Sequence, residues 1–239
     1  MDAKAYAHHL RRDGFQLADV AEGHLDATVP SCPDWKVADL VWHTGEVHDF
    51  WGQVAAKGLQ DRHEARAPER PSDLELLSWF REGVERLAEI LQNTDPAREV
   101  WTWSSQKNVG FVQRRMAQET AVHRWDGQAA AGVPEPIDAE LAVDGVDEFL
   151  DLHMPADANL DGDAEAVHLH STDAAGEWVV EVRTGGLGVR REHGKGDAAV
   201  RASASDLLLL LWRRIGPDDV EVLGDRAALK RFLARTDLN

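Results

Sequence analysis

The hydrophobic spacing changes once along this chain, near residue 160, and that change limits the fold more than any other feature. Before it, apolar residues recur at helical spacing; after it, they alternate as in half-buried strands. A first helix is expected from about Lys4 to Leu25, with Tyr6, Leu10, Leu17 and Val20 as its stripe and an interruption at Gly14. Val29-Pro30-Ser31-Cys32-Pro33 breaks the chain. A second helix runs from about Asp34-Trp35-Lys36 to Lys57, with Val37, Leu40, Val47, Trp51 and Val54 on one face and Gly58 as its stop. Residues Gln60 to Pro71 read as loop. Ser72-Asp73-Leu74-Glu75 fits a capping box, and Leu74, Leu77, Phe80, Val84, Leu87 and Leu91 follow as the stripe of a third helix ending at Asn93-Thr94-Asp95-Pro96. A fourth spans Val109 to Ala131 and is closed by Gly132-Val133-Pro134. Four amphipathic helices with no strand signal between them make a helical bundle.

A linking helix from about Asp138 to Leu152 and a polar stretch, Pro155 to Asp163, lead into the alternating part. Strands are expected at Val167–Thr172, Glu177–Val182, Leu187–Glu192 and Ala198–Ala202, the first two joined by a turn at Asp173-Ala174-Ala175-Gly176. Ser203 or Ser205 caps an apolar helix, Asp206 to Ile215; a short run, Val220 to Leu223, precedes a last helix from about Asp225 to Ala234. The expected architecture is therefore α+β in two domains: a helical bundle over residues 1–155 and a small α+β domain over 160–239.

Charge and cysteine content remove several functions. The formal net charge is −17, which repels phosphate backbones and makes nucleic acid an unsuitable partner. Cys32 is the one cysteine, so an internal disulfide and cysteine-rich zinc sites are excluded. Met1-Asp2-Ala3-Lys4-Ala5-Tyr6 lacks the pattern of a signal peptide, and Leu207 to Trp212 is far too short to span a membrane. A cytoplasmic protein, monomeric or homodimeric, is expected. Nine tryptophans are many for 239 residues; such density marks core more often than pocket wall.

Chemistry concentrates on the fourth helix. Glu119 and His123 are four residues apart and Asp126 lies three further on, which stacks all three on one helical face. A carboxylate and an imidazole so placed are two ligands ready for a divalent metal. A bare pair of this kind is common as an exposed contact, so a third ligand has to come from elsewhere. The second helix offers His43 and His48, both at edges of its apolar arc and about 140° apart on a helical wheel. Helical geometry does not choose between them. One such histidine with Glu119 and His123 makes two imidazoles and a carboxylate, with a position left open, as at a catalytic zinc.

Asp34-Trp35-x-Val37-x-Asp39-Leu40-Val41-x-His43, with Val47-His48 beyond it, resembles the start of the mycothiol-dependent maleylpyruvate isomerase family. So does Arg114-Arg115-Met116-Ala117-x-Glu119-Thr120-Ala121-Val122-His123-Arg124-Trp125-Asp126. That family falls within the DinB-like metal-binding four-helix bundles. Ser205-Asp206-Leu207-Leu208-Leu209-Leu210-Leu211-Trp212, followed by Val220-Glu221-Val222-Leu223-Gly224-Asp225, looks like its C-terminal domain, which is similar to sterol carrier proteins. The resemblance runs in order along nearly the whole chain. It implies His43, Glu119 and His123 as ligands of one divalent ion, zinc being the expected metal, and so selects His43 over His48. Two positions depart from the family pattern: Lys36, where Thr or Ser usually caps the second helix, and Gln118, often His, beside Glu119.

The resemblance also implies mycothiol as the thiol brought to the open position. A thiol bound to a zinc-like ion loses its proton. The thiolate can then add to a conjugated double bond of a small electrophilic substrate. Rotation and elimination give cis–trans isomerisation; without elimination the product is a thiol conjugate. A metal-dependent hydrolase with water in place of thiol is an alternative from the same residues. A non-catalytic protein carrying a metal or an apolar ligand is another. Asp126 is read as the partner that holds a ligand imidazole. Of Arg114-Arg115 and Arg213-Arg214, Arg115 and Arg214 are the candidates for binding an anionic substrate. Cys32 reads as structural, and His168 and His170, which point one way on a strand, are too few alone to hold a metal.

Overall fold

The computed structural model describes residues 1–154, 165–183 and 186–235. The expected polar stretch Pro155 to Asp163 lies outside them. The chain divides into two compact units, Met1–Glu135 and Pro136–Asn239, and together they are α+β, helical first and β-rich second.

The first unit contains α1 (Ala3–Ala21), a hairpin of β1 (Thr28–Val29) and β2 (Cys32–Lys36), α2 (Val37–Lys57), a 3-10 turn at Arg62–Glu64, α3 (Asp73–Asn93) and α4 (Val109–Ala130). Helix α1 packs on α3 and α4, and α2 also packs on both. Leu10, Leu17, Leu40, Val54, Phe80, Val84, Leu91, Val112 and Met116 are buried between them. Gly14 is not an interruption of α1. A Cβ there would lie 2.7 Å from Val84 Cγ2, so its absence lets α1 and α3 approach.

Each helix end has a chemical reason. Gly58 and Gly132 adopt φ of +69° and +79° at the ends of α2 and α4, as their sequence positions predict. The Asn108 carboxamide accepts the Phe111 N–H at 3.2 Å and opens α4. Lys36 has no acceptor to cap α2. Instead Asp39 accepts the Lys36 N–H at 3.1 Å, and the Ala27 and Leu25 carbonyls accept from Val37 and Ala38 at 2.9 and 3.0 Å. The segment that reads as a chain break is thus a hairpin whose lead-in closes the helix start. The capping box expected at Ser72 takes another form: the Ser72 hydroxyl donates to Glu75 Oε2 at 2.6 Å. Leu74, expected in the α3 stripe, is 98% exposed, and Leu76 is buried in its place.

The second unit contains α5 (Ala139–Leu152), β3 (Glu165–Ser171), β4 (Glu177–Arg183), β5 (Gly186–Arg190), β6 (Ala198–Ala202), α6 (Ala204–Leu211), β7 (Glu221–Gly224) and α7 (Arg226–Ala234). Its sheet has the order β5-β4-β3-β6-β7, with β3 and β6 parallel and the other pairs antiparallel. The expected boundary at residues 155–160 therefore falls inside this unit. Helix α5 is amphipathic like the bundle helices, but its apolar face packs on α6, and Ser205 Oγ accepts the Ile137 N–H at 2.9 Å just before it. Ser203, not Ser205, caps α6, accepting the Asp206 N–H at 3.0 Å. That helix stops earlier than expected because Arg213 turns to φ +60°. No helix among the described residues is long and apolar enough to cross a membrane.

Candidate metal centre

Helix α4 lies in the middle of the first unit and is buried nearly all round. Such a helix is ordinarily apolar. Here Gln113, Arg115, Gln118, Thr120, His123, Arg124, Asp126 and Gln128 are all buried, and buried polar groups need partners. The partners found on its α2-facing side form the site.

His43 from α2 meets Glu119 and His123 from α4, and one ligand atom from each lies within 4.8 Å of the other two. His43 Nε2 is 3.7 Å from Glu119 Oε1, and His123 Nε2 is 3.1 Å from the same oxygen. The two imidazole rings stand edge to face, 5.4 Å between centroids. Trp35 of β2 packs against the His43 ring at 4.9 Å.

A further ring of contacts fixes these groups. Asp126, fully buried, places Oδ2 3.0 Å from His123 Nδ1. Its Oδ1 accepts the Ser31 hydroxyl at 2.7 Å. Asp126 therefore stands behind the imidazole, with His123 Nε2 turned toward Glu119. Ser31 escaped sequence reading: it sits at the tip of the β1–β2 hairpin, and no short-range pattern links it to a residue 95 positions away. Arg115, 4% exposed, donates from Nη2 to Glu119 Oε2 at 2.9 Å. It faces the carboxylate of the cluster, whereas the expectation had it facing an anionic substrate. Arg214 lies in the second unit, where Nη1 donates to the Trp212 carbonyl at 3.0 Å and the guanidinium stands 5.9 Å from that ring.

Charge is shared within the cluster. Burial disfavours the charged form of Glu119, yet His123, His43 and Arg115 outweigh it and hold its carboxyl well below the usual range. Burial likewise opposes His123, but Glu119 and Asp126 raise its pKa to about 9. A carboxylate and two imidazoles are gathered closely enough for a divalent cation to fit between them, and nitrogen and oxygen donors suit zinc. Donor set and spacing thus fit the implied metal.

His48 faces elsewhere. Its ring stacks on Phe80 of α3 at 5.7 Å, and Nε2 is 2.8 Å from Thr120 Oγ1, whose hydroxyl donates to the Met116 carbonyl at 2.6 Å. His48 is core.

His43 also lines a cavity of about 420 Å³, with Glu46, Phe50 and Trp51 of α2 and with Arg62, Arg66 and other residues of the segment after α2. Sequence reading passed over Arg62 and Arg66 as loop. Neither guanidinium forms an ion pair with a carboxylate among the described residues, so the cavity beside the cluster is lined by two cations against one carboxylate, Glu46. Cys32 is half-buried in β2 and not among the residues lining that cavity.

The family model described as the mycothiol maleylpyruvate isomerase N-terminal domain matches residues 10–128, and that described as the MDMPI C-terminal domain matches residues 140–231. Two solved structures, a mycothiol-dependent maleylpyruvate isomerase and a point mutant of it, are each similar to this chain at 12% identity, over 93% of both chains, with a TM-score of 0.60. At that identity the likeness shows a common fold. No curated protein sequence matches.

Proposed function

We propose, from the premise that this chain belongs to the mycothiol maleylpyruvate isomerase family, that it is a metal-dependent enzyme using mycothiol on a small electrophilic substrate. The observation that carries this reading is the convergence of His43, Glu119 and His123 beside a cavity that His43 itself lines. Three protein ligands at the edge of a cavity leave room for a fourth from outside. When bound, a zinc-like ion at these residues would lower the pKa of a coordinating thiol, so that its proton is lost to solvent and a thiolate is available for a conjugated double bond, giving cis–trans isomerisation or a thiol conjugate.

The chain's own residues supply orientation and charge. Asp126 keeps His123 Nδ1 engaged, so Nε2 is the nitrogen offered at the centre. Arg115 binds Glu119 Oε2 and leaves Oε1 to the imidazoles. Trp35 restricts the His43 ring from the hairpin side. Arg62 and Arg66 draw an anion into the cavity, which suits a carboxylate-bearing substrate. No thiol of this chain is needed, in keeping with Cys32 lying away from the cavity lining.

The test is turnover of a cis-configured conjugated dicarboxylate by zinc-loaded and zinc-stripped protein, each with and without mycothiol. Activity is expected only with both present. Turnover that ignores mycothiol while requiring metal would overturn the proposal in favour of metal-bound water as the reagent.

A further inference from the structure

We propose a second divalent-cation site on the sheet of the second unit, held by His168, His170 and Glu177 and closed by His193. The site is separate in residues from the cluster on α2 and α4, and it does not depend on the reading given to that cluster.

The strand register brings the three core residues together. His168 and His170 alternate on β3 and so share one face of the sheet. In the antiparallel pairing with β4, His170 stands directly opposite Glu177, and His168 opposite Val179. Cross-strand neighbours of this kind lie within side-chain reach. One ligand atom each from His168, His170 and Glu177 falls within 4.8 Å of the other two. Glu177 Oε1 is 2.5 Å from His170 Nδ1, and Oε2 is 3.7 Å from His168 Nε2.

The segment after β5 then folds back over this face. His193 Nδ1 reaches Glu177 Oε2 at 3.0 Å, and its ring meets the His168 ring edge to face at 5.3 Å. Gly194 allows that approach: a Cβ there would lie 2.7 Å from Cγ2 of Val179, the β4 residue opposite His168.

Hydrogen bonding among these residues does not account for His168. It is 6% exposed, and Nε2 is buried with no hydrogen-bond partner. A buried ring nitrogen without a partner is uncommon. This one points toward a carboxylate oxygen too far away to bond directly, at a distance an ion between them would bridge. Two imidazoles and one carboxylate make a nitrogen-rich set that suits Zn²⁺ over Mg²⁺ or Ca²⁺, with His193, at 3.0 Å from the same carboxylate, placed to swing in as a fourth ligand of a structural site. Its effect would be to pin the residue 191–197 segment onto the sheet.

The experiment uses the full chain without a polyhistidine tag, carrying His43→Ala and His123→Ala so that the other cluster is silent. After chelator stripping, Zn²⁺ alone is titrated and bound zinc counted per chain. One equivalent is expected, and it should disappear in His170→Ala, a half-exposed position whose loss leaves the core intact by circular dichroism. His193→Ala and Gly194→Val should weaken zinc binding at least tenfold. The proposal is overturned if the stripped double variant takes up no zinc, or if a bound equivalent persists in a chain lacking both His168 and His170. Because the α2–α4 cluster is disabled throughout, neither result bears on the proposed enzymatic activity.

Discussion

His43 and His48 share one helix and one residue type, and their surroundings give them opposite chemistry. His48 is pushed down to a pKa of about 3, first by burial and then by the neighbouring His123 and His43, with Glu119 opposing. Its folded pKa is thus below the unfolded value of about 6.5. The folded state binds fewer protons between those values, so the His48 contribution to stability is present above pH 6.5 and is lost as pH falls toward 3. The melting temperature of the first unit should therefore drop on acidification through this window, and His48→Leu should flatten the dependence. A profile unchanged by the substitution would remove His48 as its source. Asp126 makes a different prediction. It touches His123 and would not itself touch an ion held there, so Asp126→Asn should lower zinc affinity at the α2–α4 cluster by about 10–100-fold, measured by chelator competition. His48→Ala should leave that affinity unchanged.

At the scale of elements, helices α1 and α4 are joined by a buried charge pair. Arg124, 2% exposed, places Nε 3.4 Å from Oδ1 of fully buried Asp13, and donates from Nη1 to Gln128 and to the Glu135 carbonyl. Removing the carboxylate alone strands a buried guanidinium. Asp13→Ala should cost about 3–5 kcal/mol, read as a shift of the denaturation midpoint of the helical signal; a shift under about 1 kcal/mol would show that water reaches Arg124. Periodicity made the α helices legible, because each buries one stripe against a neighbour. It did not reveal the β1–β2 hairpin, since Pro30 and Pro33 look like breakers and its pairing is two residues long on one side. Nor did it separate His43 from His48. A wheel places residues around one axis, and the choice depends on where α3 and α4 stand around α2. Leu74 misled for the same reason: its spacing fits the stripe, but the covered side of the first turn of α3 is the one that carries Leu76. Among the site residues, Glu119, His123 and Asp126 were legible because they lie on one helix; Ser31, Arg62 and Arg66 were not, because they reach the site from loops.

For the whole molecule, two units follow one another along the chain, and α5 belongs with the sheet although its spacing matches the bundle. The net charge of −17 acts at this scale. No salt-sensitive association with DNA or RNA is expected at physiological ionic strength, and a shift assay showing micromolar binding would contradict it. The central claim joins metal and thiol at one place, and a single spectrum addresses both. The stripped chain, with His170→Ala so that cobalt is confined to the α2–α4 cluster, is loaded with Co²⁺ and mixed with mycothiol. The account predicts a sulfur-to-cobalt charge-transfer band in the near ultraviolet. That band should persist in His48→Ala and vanish in His43→Ala, Glu119→Ala and His123→Ala. No band on adding mycothiol to the loaded chain, or a band that survives loss of Glu119 and His123 together, would contradict the account.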